Sequence, residues 1–285
     1  MSNDILKKQL FEVVKDRDMP KSVKLAKLET LVSLDVDMNA IDENKKTALM
    51  WSCELEGREI AEFLIKNGAD INKKDKEGCE VLSFASNFGN TDVIELLISK
   101  GADINAKDND GYTALIHAII YGQDDAVKLL VSKGADINIK DSEGRQALHQ
   151  ASSIGSKDIV ELFISKGMDV NAKDYRGNTA LMWAACRWNI DVLKMLISKG
   201  ADLNMQNDEG DTALILASRH GNKDVLELLI LNGSDVNIKN DMGKTALEMA
   251  RNQEMKNAIF EAVKARNVKK DDMFLSGLKK MFGRR

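Results

Sequence analysis

The feature that most constrains this chain is a period of 33 residues, kept without insertion or deletion. The segment Gly-Ala-Asp-Ile-Asn begins at Gly68, Gly101 and Gly134, and close variants begin at Gly167, Gly200 and Gly233. One period earlier a degenerate version starts at Asp35. A second marker, Thr-Ala-Leu, keeps the same step at Thr47, Thr113, Thr179, Thr212 and Thr245, with variants opening at Glu80 and Gln146. A period of this length marks stacked supersecondary units, none of which can cover its own apolar face.

The residues within one period spell out the unit. Asp108 to Gly111 and Asp141 to Gly144 place Asp at the start and Gly at the end of a four-residue turn. Thr113 and Thr179 then stand where a hydroxyl caps a first helix. That helix is expected to bury Leu115 and Ala118, with equivalents at Leu148/Ala151, Leu181/Ala184 and Leu214/Ala217. Gly122, Gly155 and Gly221 end it. A second helix follows with a denser apolar stripe, as in Val93, Ile94, Leu96, Leu97 and Ile98, and Gly101 closes it as a left-handed C-terminal glycine.

On these markers the sequence resembles the ankyrin-repeat family over roughly residues 40–263, with Thr-Ala-Leu where the family commonly has Thr-Pro-Leu-His and with the Leu-His ending kept at Leu148–His149. The resemblance implies an all-α ankyrin-repeat solenoid of turn–helix–turn–helix units. We read seven repeats, at 40–72, 73–105, 106–138, 139–171, 172–204, 205–237 and 238–267. A helical N-terminal cap occupies 1–39, with Asp18 and Pro20 opening its second helix, and a basic amphipathic C-terminal tail occupies 268–285. Glu248, Arg251, Glu254, Lys256 and Glu261 add polarity to the last copy, as a C-terminal cap requires.

Charge narrows the partners. From Lys264 onward eight basic residues face two acidic ones, so this segment carries +6 and the remainder −10 of the net −4. An acidic body repels phosphate, which argues against nucleic acid. The three cysteines, Cys53, Cys79 and Cys186, have no Cys-x-x-Cys spacing and no companion ligands in sequence, so neither a disulfide framework nor a metal site is expected. The charged N-terminus lacks a signal-peptide core, and a cytoplasmic monomer is the expectation, with a non-classical export route left open.

Candidate chemistry is sparse. His117, His149 and His220 stand apart from any nucleophile elbow, His-x-x-x-His pair or phosphate-cradling loop, so no catalytic, cofactor or metal role is assigned. The recurring Asp103/Asn105 and Asp136/Asn138 pairs are expected to fix turn backbones rather than hold calcium, which needs its oxygens within one short loop. Trp51 and Trp183 sit early in their first helices and are expected to be half-buried in the core.

The resemblance implies binding through the turn tips and the exposed side of the first helices, on a concave face. Carried over copy by copy, the exposed helix end reads Leu55, Phe88, Tyr121, Ile154, Arg187, His220 and Gln253. The turns add Tyr112, Arg145, Tyr175 and Arg176, and Trp188 replaces the inter-helix glycine of its copy. Aromatic and arginine side chains of this kind are enriched at binding hot spots. The expected function is therefore a non-catalytic protein–protein interaction scaffold. Two alternatives are an adaptor brought to a membrane surface or partner groove by Met273, Phe274, Leu278, Met281 and Phe282 of the tail, and an accessory subunit of an enzyme.

Overall fold

The computed structural model describes the backbone of residues 2–55 and 58–282, and side-chain surroundings for 2–54 and 58–268. Among the described residues there are fifteen α-helices and one isolated bridge, Ile41 to Thr47. The all-α expectation holds. The chain forms two compact units that divide after Ser142.

The first unit opens with the cap helices α1 (Asn3–Lys15) and α2 (Lys21–Ser33). Pro20 stands just before α2, where its missing N–H is no loss, and Asp16 Oδ1 accepts the amides of Asp18 and Met19 to shape the connection. Three helix pairs follow: α3 (Ala48–Leu55) with α4 (Arg58–Lys66), α5 (Val81–Asn87) with α6 (Thr91–Ser99), and α7 (Ala114–Ile120) with α8 (Asp124–Ser132). First helices pack on first helices and second on second, with α1 laid on α3 and α2 on α4.

The second unit repeats the plan with α9 (Ala147–Ile154) and α10 (Lys157–Ser165), α11 (Ala180–Arg187) and α12 (Ile190–Ser198), and α13 (Ala213–His220) and α14 (Lys223–Leu231). Its last copy departs from the expected pair. Turns replace the first helix after Thr245, where Glu248 folds back to accept the Thr245 amide and hydroxyl. A single helix, α15 (Gln253–Phe282), then packs on α14 and runs unbroken past position 268. Arg266 of α15 donates to the carbonyls of Ile230 and Ser234, tying it to the end of α14.

Local chemistry follows the sequence reading. The hydroxyls of Thr113, Thr179 and Thr212 each accept the amide three residues on. Leu115, Leu148, Leu181 and Leu214 are buried, and Ala118, Ala151, Ala184 and Ala217 are fully so, which lets neighbouring first helices approach closely. Val93, Ile94 and Leu97 of α6, Val160 and Phe163 of α10, and their counterparts in other second helices are fully buried.

One device was not foreseen. Within the first unit the Lys76 amide donates to the Asn44 carbonyl, Asn109 to Glu77 and Ser142 to Asp110. Within the second, Tyr175 donates to Glu143, Asp208 to Arg176 and Asp241 to Glu209. Each turn tip is thus bonded to the next through the backbone. The Asx pairs add a second rung: Asp103 Oδ1 accepts the Asn105 amide at 2.9 Å, and Asn105 Oδ1 accepts the Asp136 amide one copy on at 2.9 Å. The aspartates do fix the turns, and the asparagines join them.

Candidate functional site

The exposed ends of the first helices carry most of the predicted contact residues. In the first unit Phe88 is 44% and Tyr121 59% exposed, each standing at the C-terminal end of its first helix just before Gly89 or Gly122. In the second unit Ile154 is 46% exposed, and Arg187 and His220 are exposed at the ends of α11 and α13. Gln253 opens α15. The side chain of Leu55 lies outside the described residues, as do those of Met273, Phe274, Leu278, Met281 and Phe282.

Trp188 is the most unusual of the set. It caps α11 with φ at +66°, in the left-handed region, where the equivalent Gly155 has φ +93° and Gly221 φ +79°. A bulky L-residue there costs on the order of 1 kcal/mol. Its ring remains 56% exposed, so burial returns little of that cost.

The turn residues divide. Tyr175 is 64% exposed and lies over Gly144, where an added Cβ would collide with the Tyr175 ring. Arg176 is exposed beside it and lines a groove of about 400 Å³ with Trp183, Cys186, Glu209 and Arg219. Tyr112 and Arg145 are instead half-buried. The Tyr112 ring meets His117 edge-on at 5.8 Å, and Arg145 lies over the Trp183 ring at 5.8 Å while pairing with Glu143 at 3.5 Å.

Trp51 and Trp183 are half-buried as expected, but their indole nitrogens have a partner that sequence reasoning missed. Trp51 Nε1 donates to Asp42 Oδ2 at 2.9 Å and Trp183 Nε1 to Asp174 Oδ2 at 3.0 Å. At the same position His117 Nε2 lies 2.8 Å from Asp108 Oδ2. Each pair is nine residues apart. The signal was present in the sequence: where that ninth residue is Leu216 or Met249, with no N–H to offer, the turn carries Asn207 or Asn240 instead of Asp. Asparagine brings its own donor, and Asn207 Nδ2 donates to Asn178 Oδ1 while Asn240 Nδ2 donates to Asp211 Oδ1.

Asp75 breaks this rule, because Phe84 stands nine residues on. Burial, with the Glu77 carboxyl beside it, holds the Asp75 carboxyl above its ordinary range even though the Cys79 amide donates to it. A raised folded pKa means that ionised Asp75 opposes folding, and that stability is regained as pH falls through the folded value. Phe84→Trp supplies the missing N–H. We expect it to raise stability at pH 7 by about 1 kcal/mol, a gain that shrinks in acid, as urea unfolding at the two pH values will read.

Two of the three thiols are held inert. Burial pushes the Cys53 thiol up to about 12 and the Cys186 thiol to about 11, so neither presents a thiolate at neutral pH. His149 spends both ring nitrogens on the backbone: Nδ1 accepts the Gln146 amide at 3.1 Å, and Nε2 lies 3.0 Å from the Ala172 carbonyl.

A family model described as ankyrin repeats (3 copies) matches residues 21–75, 67–141, 138–207 and 188–271, most of the chain. The chain belongs to the ankyrin-repeat family. No curated protein matches it. Ankyrin repeats generally mediate protein–protein interaction, and the family is typically non-catalytic. The match begins at Lys21, so it takes in α2, which carries none of the repeat markers. Among the described residues no helix of this ankyrin-repeat chain is long and apolar enough to cross a membrane.

Proposed function

We propose that this ankyrin-repeat protein is a non-catalytic scaffold that binds another protein through the exposed ends of its first helices. Phe88 and Tyr121 form the contact in the first unit, and Ile154, Arg187, Trp188 and His220 form it in the second, with Tyr175 and Arg176 at the turn tips. Tyr112 and Arg145 support this surface from beneath through His117 and Trp183.

The observation that carries the reading is Trp188. Left-handed backbone occupied by an exposed indole is unfavourable for the free chain, and such strain persists where a function needs the side chain. Large, rigid aromatic groups held in place before contact lose little entropy on binding. The acidic body supports a protein partner over nucleic acid, and a monomer is sufficient to present this surface.

Trp188→Gly and Tyr121→Ala separate contact from fold. We expect Trp188→Gly to gain up to about 1 kcal/mol of stability by relieving the left-handed strain. Each substitution should weaken partner capture by about 1–3 kcal/mol, the range of an interface aromatic. Affinity capture from native lysate with wild type and both variants, read against their melting curves, is the test. A captured set that neither substitution alters excludes a contact centred on these residues.

A further inference from the structure

Three ligand types that the sequence keeps 29 and 38 residues apart meet in the first unit. Cys79 Sγ lies 3.5 Å from Asp108 Oδ2 and 3.7 Å from His117 Nε2, and the latter two atoms are 2.8 Å apart. All three side chains offer their ligand atoms within 4.8 Å of one another. We propose that Cys79, Asp108 and His117 form a binding site for a thiophilic divalent cation of the zinc class.

The distances are those of a coordination shell. Bond lengths of about 2.3 Å to sulfur, about 2.05 Å to nitrogen and about 2.0 Å to oxygen place tetrahedral ligands about 3.5 Å apart for sulfur to oxygen, about 3.5 Å for sulfur to nitrogen and about 3.3 Å for nitrogen to oxygen. The two sulfur edges already fall within about 0.2 Å of that figure. Only the His117–Asp108 edge has to open, by about 0.5 Å, as a cation replaces the proton between them. On binding, Cys79 releases its thiol proton to solvent and the neutral His117 imidazole moves its proton from Nε2, where it bonds Asp108, to Nδ1, so Nε2 is free to coordinate.

The surroundings hold the ligands in place. Asp108 Oδ1 accepts the amides of Asp110 at 3.0 Å and Tyr112 at 2.8 Å, which fixes the carboxylate and leaves Oδ2 for the cation. The Tyr112 ring, edge-on to His117, sets the imidazole plane. Outer contacts of this kind orient metal ligands. The His117 and Asp108 side chains keep 10% and 5% of their surface exposed, so the site is closely covered but not sealed. Three protein ligands leave the fourth tetrahedral position to solvent.

The repeat itself supplies the contrast. His117 and Asp108 have a structural counterpart in the Trp51–Asp42 and Trp183–Asp174 bonds, and that role alone would explain them. What the other copies lack is sulfur: the position held by Cys79 is Lys46, Tyr112, Arg145, Asn178, Asp211 or Lys244 elsewhere. A soft thiolate beside an imidazole and a carboxylate is a donor set that zinc favours over magnesium or calcium.

Cobalt(II) titration of the chelator-treated full chain tests the site, because a thiolate ligand gives a charge-transfer absorption and a tetrahedral field gives intense visible bands. We expect one equivalent to bind with both signals, and zinc to displace it. His117→Trp removes the imidazole but keeps the Asp108 bond as Trp51 and Trp183 do, and Cys79→Ala removes the sulfur. Each should abolish the charge-transfer signal with helix content unchanged by circular dichroism. Absence of that signal in the wild type overturns the proposal, as does its persistence in either variant.

Discussion

Phe163→Ala is expected to cost about 3–5 kcal/mol, the range of a large-to-small change at a fully buried aromatic. Phe163 lies on the apolar stripe of α10, with no exposed surface, where α10 meets both α9 and α12. The side chain therefore fills space within its own helix pair and between that pair and the next. In a repeat stack the two kinds of contact are the main sources of stability, so removing the ring weakens both. A domain of ordinary stability holds about 5–15 kcal/mol in total, which makes this loss a large fraction. Urea unfolding followed by circular dichroism will show it as a lowered midpoint. Ile154→Ala, at the end of the same copy's first helix and 46% exposed, is the control and should stay within about 0.5–1 kcal/mol. Equal midpoints for the two variants would show that the aliphatic seam is not what holds the second unit together.

Asp42→Ala is expected to cost about 3 kcal/mol, because it strands several donors at once. Asp42 Oδ1 accepts the amides of Asn44 at 2.9 Å and Lys46 at 3.0 Å, and Oδ2 accepts Trp51 Nε1 at 2.9 Å and Lys15 Nζ at 3.1 Å. Lys15 belongs to α1 and also lies over the Trp51 ring at 4.1 Å, so this carboxylate joins the cap to the first repeat. Burial pushes the Asp42 pKa up, and the Trp51, Lys15 and backbone hydrogen bonds outweigh it, leaving the carboxyl below its ordinary value. The sign follows: a depressed folded pKa contributes stability above the unfolded pKa and loses it as pH falls through the folded one. Wild type should therefore lose stability in acid more steeply than Asp42→Ala, and the two melting curves should converge there. Parallel pH profiles would rule out this carboxylate as the source.

The proposed contact surface was legible in part, and the divide has a physical cause. Phe88, Tyr121 and Ile154 could be placed because a strict period fixes which helix positions face away from the stack, and all three are exposed. Tyr112 and Arg145 were placed with them by the same register, yet both turn inward. Their side chains are long enough to reach His117 and Trp183, and reach is a property of three-dimensional neighbours rather than of spacing. The Asp-to-indole bonds were written in the chain as a covariation between turn and ninth residue, but the pattern acquires meaning only when the first helix folds back over its own turn.

What the amino-acid sequence determined by itself is the unit: its length, its two helices, its threonine caps and glycine stops, and the apolar stripe that makes a lone copy insufficient. Those depend on backbone preferences and on periodicity, which act over a few residues and are visible wherever they recur. The tertiary structure alone decided what happens between copies. It bonds each turn tip to the next, puts an indole at Trp188 into left-handed backbone, and brings Cys79 to Asp108 and His117 from a neighbouring repeat. Contacts one period apart depend on how closely neighbouring copies approach, and that distance exists only after the copies have stacked.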